Sequence, residues 1–265
     1  MSNWLLTLPV VWMGALILGA IFLVTAGLYL VITKLAVGER ARTFTAISPG
    51  MLPPLSVIFA LLVGFLAAQV WNDADRASGA VHHEASALRA VVLLSAAFTG
   101  EPEARLHDLV RRYIQDAVTE EWPAMARGDA TLTIAPPKLA EALRVVLSIN
   151  PRNEGQVAAQ RELVAALQSA FDFRRQRIIL SESSINWVKW TVLLLQAGLT
   201  LLTIAMIHCD NPAANRIILA IFATGVGVSV VLIASHSRPF TGEVSVPPTV
   251  LLQVMPEAGP AAASP

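Results

Sequence analysis

Residues 55–71 read LSVIFALLVGFLAAQVW and contain no charged side chain. About 20 predominantly apolar residues span the hydrocarbon core of a bilayer as a helix. The uncharged interval around this stretch runs from Arg42 to Asp73, so its length is sufficient. The stretch therefore predicts a membrane-spanning helix. Because the following residues 73–98 contain no proline, we expect this helix to continue out of the bilayer.

Three further stretches are apolar and long enough to cross a membrane, namely residues 5–33, 187–207 and 217–235. The composition agrees, because 55% of the residues are apolar and 14% are charged, whereas soluble domains have roughly 25% charged residues. The first stretch is longer than the core of a signal peptide, and no Lys or Arg precedes it, so we expect it to be retained. The sequence predicts a multi-pass protein of the plasma (inner) membrane, surrounded by lipid.

Between the second and third stretches lies a polar region whose apolar residues recur at helical spacing. We therefore predict an all-α integral membrane protein in which two pairs of transmembrane helices flank a helical extramembrane domain. The predicted parts are a first transmembrane pair in residues 1–71, the helical domain in 72–186, a second pair in 187–237, and a C-terminal turn with a low-complexity tail in 238–265.

The orientation of the predicted helices stays open. Four crossings place both termini and the helical domain on one side, with two short loops on the other. The first short loop carries Lys34, Arg40 and Arg42, which favours cytoplasmic short loops under the positive-inside rule. Arginines near the opposite membrane ends nearly cancel this preference.

Several classes of function are excluded or weakened by what the sequence contains. Lys plus Arg and Asp plus Glu each number 19, and a net charge of zero argues against nucleic-acid binding. The single cysteine, Cys209, excludes an intrachain disulfide, and the adjacent His82 and His83 diverge on a helix, which disfavours a metal site. No nucleotide-binding or hydrolase motif is present, so we expect no enzyme activity and no cofactor. No carboxylate lies deep in a predicted membrane helix, which weakens a cation-transport interpretation.

Two groups of polar residues are candidate functional sites. Gln196, Thr200 and Thr203 form a polar stripe on the third membrane helix, and this stripe predicts either a helix contact or a surface facing a cavity. A second group is charged and is expected near a membrane end, where it forms either a solvated surface or a ring of charge at a channel mouth. Its members are Arg76, Glu84, Arg174, Arg175 and Arg177.

An ordered set of motifs extends from residue 55 to residue 248. The set comprises the apolar run ending at Trp71, Tyr113, the run EEWP at residues 120–123, the arginines before residue 187, and RPFTG at residues 238–242. In this order and with two helix pairs around a helical domain, the chain resembles the bestrophin-like family of bacterial membrane proteins. The motif residues that we expect to be structural are Trp71, Trp122, Arg238, Pro239, Phe240 and Gly242.

The resemblance implies a four-helix membrane protein with a helical extramembrane domain. It further implies a relation to bestrophins, which are pentameric anion channels with cytoplasmic helical domains. We therefore expect a homo-oligomer, a pentamer by resemblance, that is permeable to anions. The alternative is a membrane-anchored helical sensor or scaffold without a pore, which would act through a partner protein that the sequence does not identify.

Overall fold

The computed structural model describes residues 8–46, 49–132 and 136–257, and these residues form helices and no strand. Residues 5–7 of the first predicted membrane stretch and residues 258–265 of the predicted tail lie outside this described part. The helices are α1 Val10–Leu35, α2 Glu39–Thr45, α3 Leu52–Ser95, α4 Glu101–Asp116, α5 Trp122–Arg127, α6 Pro137–Ser148, α7 Glu154–Ser181, α8 Trp187–Ile207, α9 Pro212–Ser235 and α10 Thr249–Gln253. A π-helical turn, Ala117–Glu121, joins α4 to α5.

The chain divides into two compact units. Unit 1 consists of residues 1–72, 184–238 and 242–244, and unit 2 consists of residues 73–183, 239–241 and 245–265. Helix α3 contributes to both units and is continuous to Ser95, as the lack of proline in residues 73–98 predicted. Unit 2 therefore contains most of the predicted helical domain, together with short segments that follow α9.

Unit 1 contains four helices, α1, α3, α8 and α9, that are long and apolar enough to cross a membrane. Helix α1 packs mainly against α9, and α8 packs against both. Side chains of α1 fill the space over Gly227, where an added Cβ atom would overlap Cδ2 of Leu18. The arrangement of consecutive helices as two pairs stays a prediction.

The ends of the membrane helices follow local capping chemistry. Helix α8 has the predicted bounds Trp187–Ile207, and the side chain of Asn186 caps it by accepting from the amide of Val188. Helix α9 begins at Pro212, earlier than residue 217, because the Asn211 side chain accepts from the Ala214 amide, 3.1 Å away. Proline is compatible with the first helical position, since that amide needs no partner within the helix.

Unit 2 is a helical bundle around one apolar core, built from α3, α4, α6 and α7 together with α5. Helices α4 and α6 each carry a proline in their first turn, Pro102 and Pro137, where its missing amide costs no hydrogen bond. Helix α7 ends at Ser181, so it does not run on into α8. The break between α5 and α6 begins at Gly128, whose φ of 81° is left-handed and suits glycine.

The segment after α9 adds structure that the sequence interpretation missed. Residues 238–265 were expected to form a turn and a low-complexity tail, yet α10 lies within them. Phe240 and Leu251 belong to the apolar core of unit 2, and Leu251 is fully buried. Five-residue helices carry little periodic signal, so only the packing of Leu251 reveals this element.

Candidate functional site

Two helices of unit 2 place charged residues on their buried faces. Glu84 on α3 and Arg177 on α7 are fully buried, and Arg174 is 7% exposed. Isolated buried charges are strongly unfavourable, so such residues must be paired. Together with Tyr113 and Glu121 they form what we call the charge cluster.

The centre of the charge cluster is a two-point ion pair between Arg177 and Glu84. Nε of Arg177 donates to Oε2 of Glu84 over 2.7 Å, and Nη2 donates to Oε1 over 3.1 Å. The hydroxyl of Tyr113 also donates to Oε1 of Glu84. Paired N–H groups of a guanidinium match the two oxygens of a carboxylate, and this geometry fixes both side chains.

A second carboxylate extends the charge cluster. Oε2 of Glu121 accepts from Nη2 of Arg177 over 2.9 Å, and its Oε1 accepts from Nε of Arg174 over 2.8 Å. Glu121 is the last residue of the π-helical turn, so this turn presents a carboxylate to two arginines of α7. The charge cluster thereby joins α3, the end of α4 and α7 inside one core.

An aromatic residue covers the guanidinium of Arg177. The Arg177 Cζ atom lies 4.6 Å from the centre of the Trp122 ring, a distance at which the cation is attracted to the ring face. Trp122 also contacts the edge of Phe240, with ring centres 5.8 Å apart, and its Nε1 donates to the carbonyl of Val246 over 3.1 Å. The hydroxyl of Thr241 donates to the carbonyl of Ala126 over 2.8 Å. Trp122 therefore links the charge cluster to the segment that follows α9.

The protonation equilibria reflect both burial and pairing. Burial alone would raise the pKa of the Glu121 carboxyl, but the guanidinium groups of Arg177 and Arg174 outweigh it, so this pKa lies below its ordinary value. Burial, followed by the charge of Glu84, raises the pKa of the Tyr113 phenol well above its ordinary value. At neutral pH the tyrosine therefore stays a donor and Glu121 stays an acceptor.

A cavity of about 360 Å³ adjoins the Glu121 side of the charge cluster. Its walls include Tyr113, Glu121 and Arg174, with Asp129 and Lys138 also lining it. The described lining residues include no histidine or cysteine, and no group of three metal-ligating side chains occurs in the described part of the chain. The arrangement can hold helices in register through charge.

A match to a family model that covers most of the sequence identifies the family. The family model described as Bestrophin-like domain matches residues 19–251. The chain belongs to the Bestrophin-like family. This match confirms the resemblance that the ordered motifs indicated, and the whole charge cluster lies inside the matched range.

Solved structures show a Bestrophin-like fold for the chain. A crystal structure of a bacterial bestrophin homologue from Klebsiella pneumoniae, with one mutation, has a TM-score of 0.67 at 11% identity, covering 90% of this chain and 96% of that one. A second one, with a different mutation, has a TM-score of 0.63 at 12% identity, covering 87% and 97%. At this identity the similarity shows the fold alone. No match was found among curated proteins.

The five charged residues predicted in this Bestrophin-like protein do not form one group. The structure brings Glu84 and Arg177 together, and Glu121 connects Arg174 to them. The side chains of Arg76 and Arg175 are exposed instead and do not belong to the charge cluster. Glu84 and Arg177 were named from the sequence, whereas the bridging role of Glu121 was missed.

The helical spacing contained a signal for Glu121, whose role the sequence interpretation missed. Tyr113 lies on the apolar face of α4, and Ala117 and Glu121, the first and last residues of the π-helical turn, follow it at intervals of four residues. A carboxylate that continues an apolar stripe indicates a buried ion pair. The same reasoning applies to Arg174 and Arg177, which continue the apolar face of α7.

The polar stripe of α8 makes contacts inside unit 1. Nε2 of Gln196 donates to the carbonyl of Leu55 on α3 over 3.1 Å. The hydroxyls of Thr200 and Thr203 donate to carbonyls of their own helix, over 2.9 and 2.8 Å. Thr200 is fully buried, whereas Gln196 and Thr203 are partly exposed.

The motif residues of the Bestrophin-like family occupy different environments. Trp71 is 48% exposed in unit 1, whereas Trp122 is buried in unit 2. Arg238 is half-buried, and Pro239 and Phe240 are buried. In the turn after α9, Gly242 has a φ of 87°, which side chains other than glycine rarely adopt, and the Val246 amide donates to the Pro239 carbonyl over 2.8 Å.

Proposed function

We propose that this protein is a homo-oligomeric, anion-permeable channel of the plasma (inner) membrane, with four membrane-crossing helices in each chain. The observation that carries the proposal is membership of the Bestrophin-like family, whose namesakes are anion channels. By the same resemblance, the expected assembly is a pentamer. The fold supports the proposal, since it is shared with bacterial bestrophin homologues.

The charges of the membrane helices support anion permeation. The membrane-spanning stretches of α1, α3, α8 and α9 contain no Asp or Glu, and Lys189 lies at the start of α8. Carboxylates within membrane segments mark cation and proton pathways, so their absence from these stretches favours anions.

The packing of unit 1 supports a path between copies of the chain. Buried side chains from all four membrane helices fill two apolar clusters, with Leu193 and Ile233 among them. In contrast, 11% of the residues in the most apolar stretch of α1 and 17% of those in the most apolar stretch of α3 are buried. The exposed faces of α1 and α3 are thus available to lipid and to other copies.

The polar stripe of α8 fits a helix contact better than a pore lining. Gln196 uses its amide on the backbone of α3, and both threonine hydroxyls bond within α8. We expect Gln196→Leu to lower the thermal stability in detergent without changing the ratio of chloride to potassium permeability. A changed ratio would assign the stripe to the pore.

The alternative of a membrane-anchored sensor or scaffold without a pore is not favoured. It rested on the architecture of the helical domain alone, whereas the chain belongs to the Bestrophin-like family and shares the fold of a bacterial bestrophin homologue. No enzyme activity is part of the proposal, and a partner protein is not needed for it.

Two measurements on the full chain test the proposal. The mass of the nanodisc-embedded particle should correspond to a single closed species of four or more copies. Liposomes that contain the purified protein should release chloride faster than empty liposomes when a potassium ionophore balances the charge. A monomer or dimer, or liposomes that retain chloride at every pH and calcium concentration tested, would overturn the channel function.

A further inference from the structure

From Ala77 to Ser95, one face of α3 is exposed and nearly without charge. Between Ala77 and Gly100 the charged residues are Glu84 and Arg89, and Glu84 is buried. Leu93 on this face is 65% exposed. Faces of helices that meet water normally carry charged residues, and depletion of charge is typical of surfaces buried by a partner protein.

A groove of about 370 Å³ lies beside this face, between α3 and α7. One end holds the stacked rings of His83 and Phe173, whose centres are 4.8 Å apart. The other lining residues are mostly small, namely Ser86, Ala87, Ala90, Leu94, Glu162, Ala165, Ala166 and Ser169. Small side chains let the backbone of another helix approach closely, so the groove has room for the edge of a helix.

The exposed face of α3 beside the groove forms a ridge that includes Arg89 and Leu93. The groove and this α3 ridge carry opposite charges. Glu162 is the carboxylate in the lining of the groove, and Arg89 is on the exposed ridge of α3. Among the described residues, neither side chain has an ion-pair or hydrogen-bond partner. Arg89 immediately precedes Ala90, which lines the groove together with Glu162.

We propose that the groove between α3 and α7 receives the α3 ridge of a second copy of this chain, with Arg89 of one copy facing Glu162 of the next. This contact joins two different surfaces of the chain, and repetition of such a contact closes a ring when the rotation fits. The inference rests on the proposed homo-oligomer and names the surface that builds it.

Charge reversal tests the pairing in the nanodisc-embedded full chain. Arg89→Glu and Glu162→Arg should each replace most of the wild-type ring by smaller species, because each places like charges in contact. The double variant should restore the ring. Arg144→Glu, on the exposed face of α6, is the control and should leave the mass unchanged. Rings that persist in both single variants, or a double variant that stays dissociated, would overturn the inference.

Cross-linking gives a second test that changes no charge. With Cys209→Ser as background, Leu93→Cys and Ala165→Cys combined should form a ladder of disulfide-linked copies on mild oxidation, whereas either cysteine alone should not. Absence of the ladder from intact rings would overturn the inference and leave the proposed oligomer standing. A monomeric wild-type chain would overturn both this inference and the proposed homo-oligomer.

Discussion

Arg177 is the residue on which the charge cluster of unit 2 depends. Its guanidinium contacts both carboxylates, Glu84 and Glu121, and stacks on Trp122. Burial opposes its charge, but Glu84 more than compensates, and its pKa lies above the ordinary arginine value. Arg177 therefore stays charged at every pH at which the protein is folded.

Replacement of Arg177 by methionine should destabilise the protein strongly. We expect a loss of about 3–5 kcal/mol in the free energy of unfolding, because Glu84 is left buried without its cation. Denaturant titration of the detergent-solubilised chain measures this loss. Arg175→Met is the matched control, since the exposed neighbour should change stability by no more than about 0.5 kcal/mol. Adding Glu84→Gln to Arg177→Met should recover part of the loss, and no recovery would show that Glu84 is not the group left unpaired.

The stability of the protein should depend on Glu121 in acid. Because the folded-state pKa of Glu121 lies below its ordinary value of 4.5, its stabilising effect is complete above that value. The effect is lost as the pH falls through the folded-state pKa. Thermal unfolding between pH 7 and pH 3 should therefore show a steeper loss for the wild type than for Glu121→Gln. Parallel curves for the two proteins would contradict this assignment.

At the scale of helices, side chains of α1 fill the space over Gly227 of α9. A Cβ atom at this position would overlap the end of the Leu18 side chain, whereas one at Gly225 would meet no atom within 4 Å. Small residues at such contacts let helices pack tightly in membranes. A larger side chain at residue 227 would therefore have to displace Leu18.

Gly227→Leu should lower the thermal stability of the detergent-solubilised protein, because overpacking of a filled contact costs about 1–3 kcal/mol or more. Gly225→Leu makes the same change in composition and helix propensity on the same helix, so it is the control and should have little effect. Leu18→Ala combined with Gly227→Leu should restore part of the stability. Equal effects of the two glycine replacements would show that contact with α1 is not the cause.

At the scale of the whole molecule, residues that follow the last membrane helix complete the core of unit 2. Leu251 of α10 is fully buried there, while its neighbour Leu252 is 43% exposed. Phe240 and Val246 meet Trp122, which stacks on Arg177. Unit 2 is therefore built from segments on both sides of α8 and α9.

Leu251→Ala should cost about 2–5 kcal/mol, because it leaves a cavity in the core, whereas Leu252→Ala should cost much less. Chemical denaturation of the two variants in the same detergent measures the difference. A similar cost for both would mean that the C-terminal segment is not part of the folded core.

The sequence alone was sufficient for the helical class and the four apolar helices. These features depend on local information, such as the length of uncharged runs and the spacing of apolar residues. It was also sufficient for the family, because the motifs occur in a fixed order. The short α10 was missed, since five residues contain too little periodicity to predict a helix.

Only the fold identifies which residues pair within the charge cluster. From the sequence, Glu84 and Arg177 were expected on a solvated surface or in a ring of charge at a channel mouth, whereas the structure buries both. They are separated by 93 positions, and spacing within one helix says nothing about which helix lies opposite. Only packing selects Glu121, rather than Glu84, as the partner of Arg174. Local periodicity determines which face of a helix is buried, whereas the choice of partner depends on contacts between residues distant in the chain.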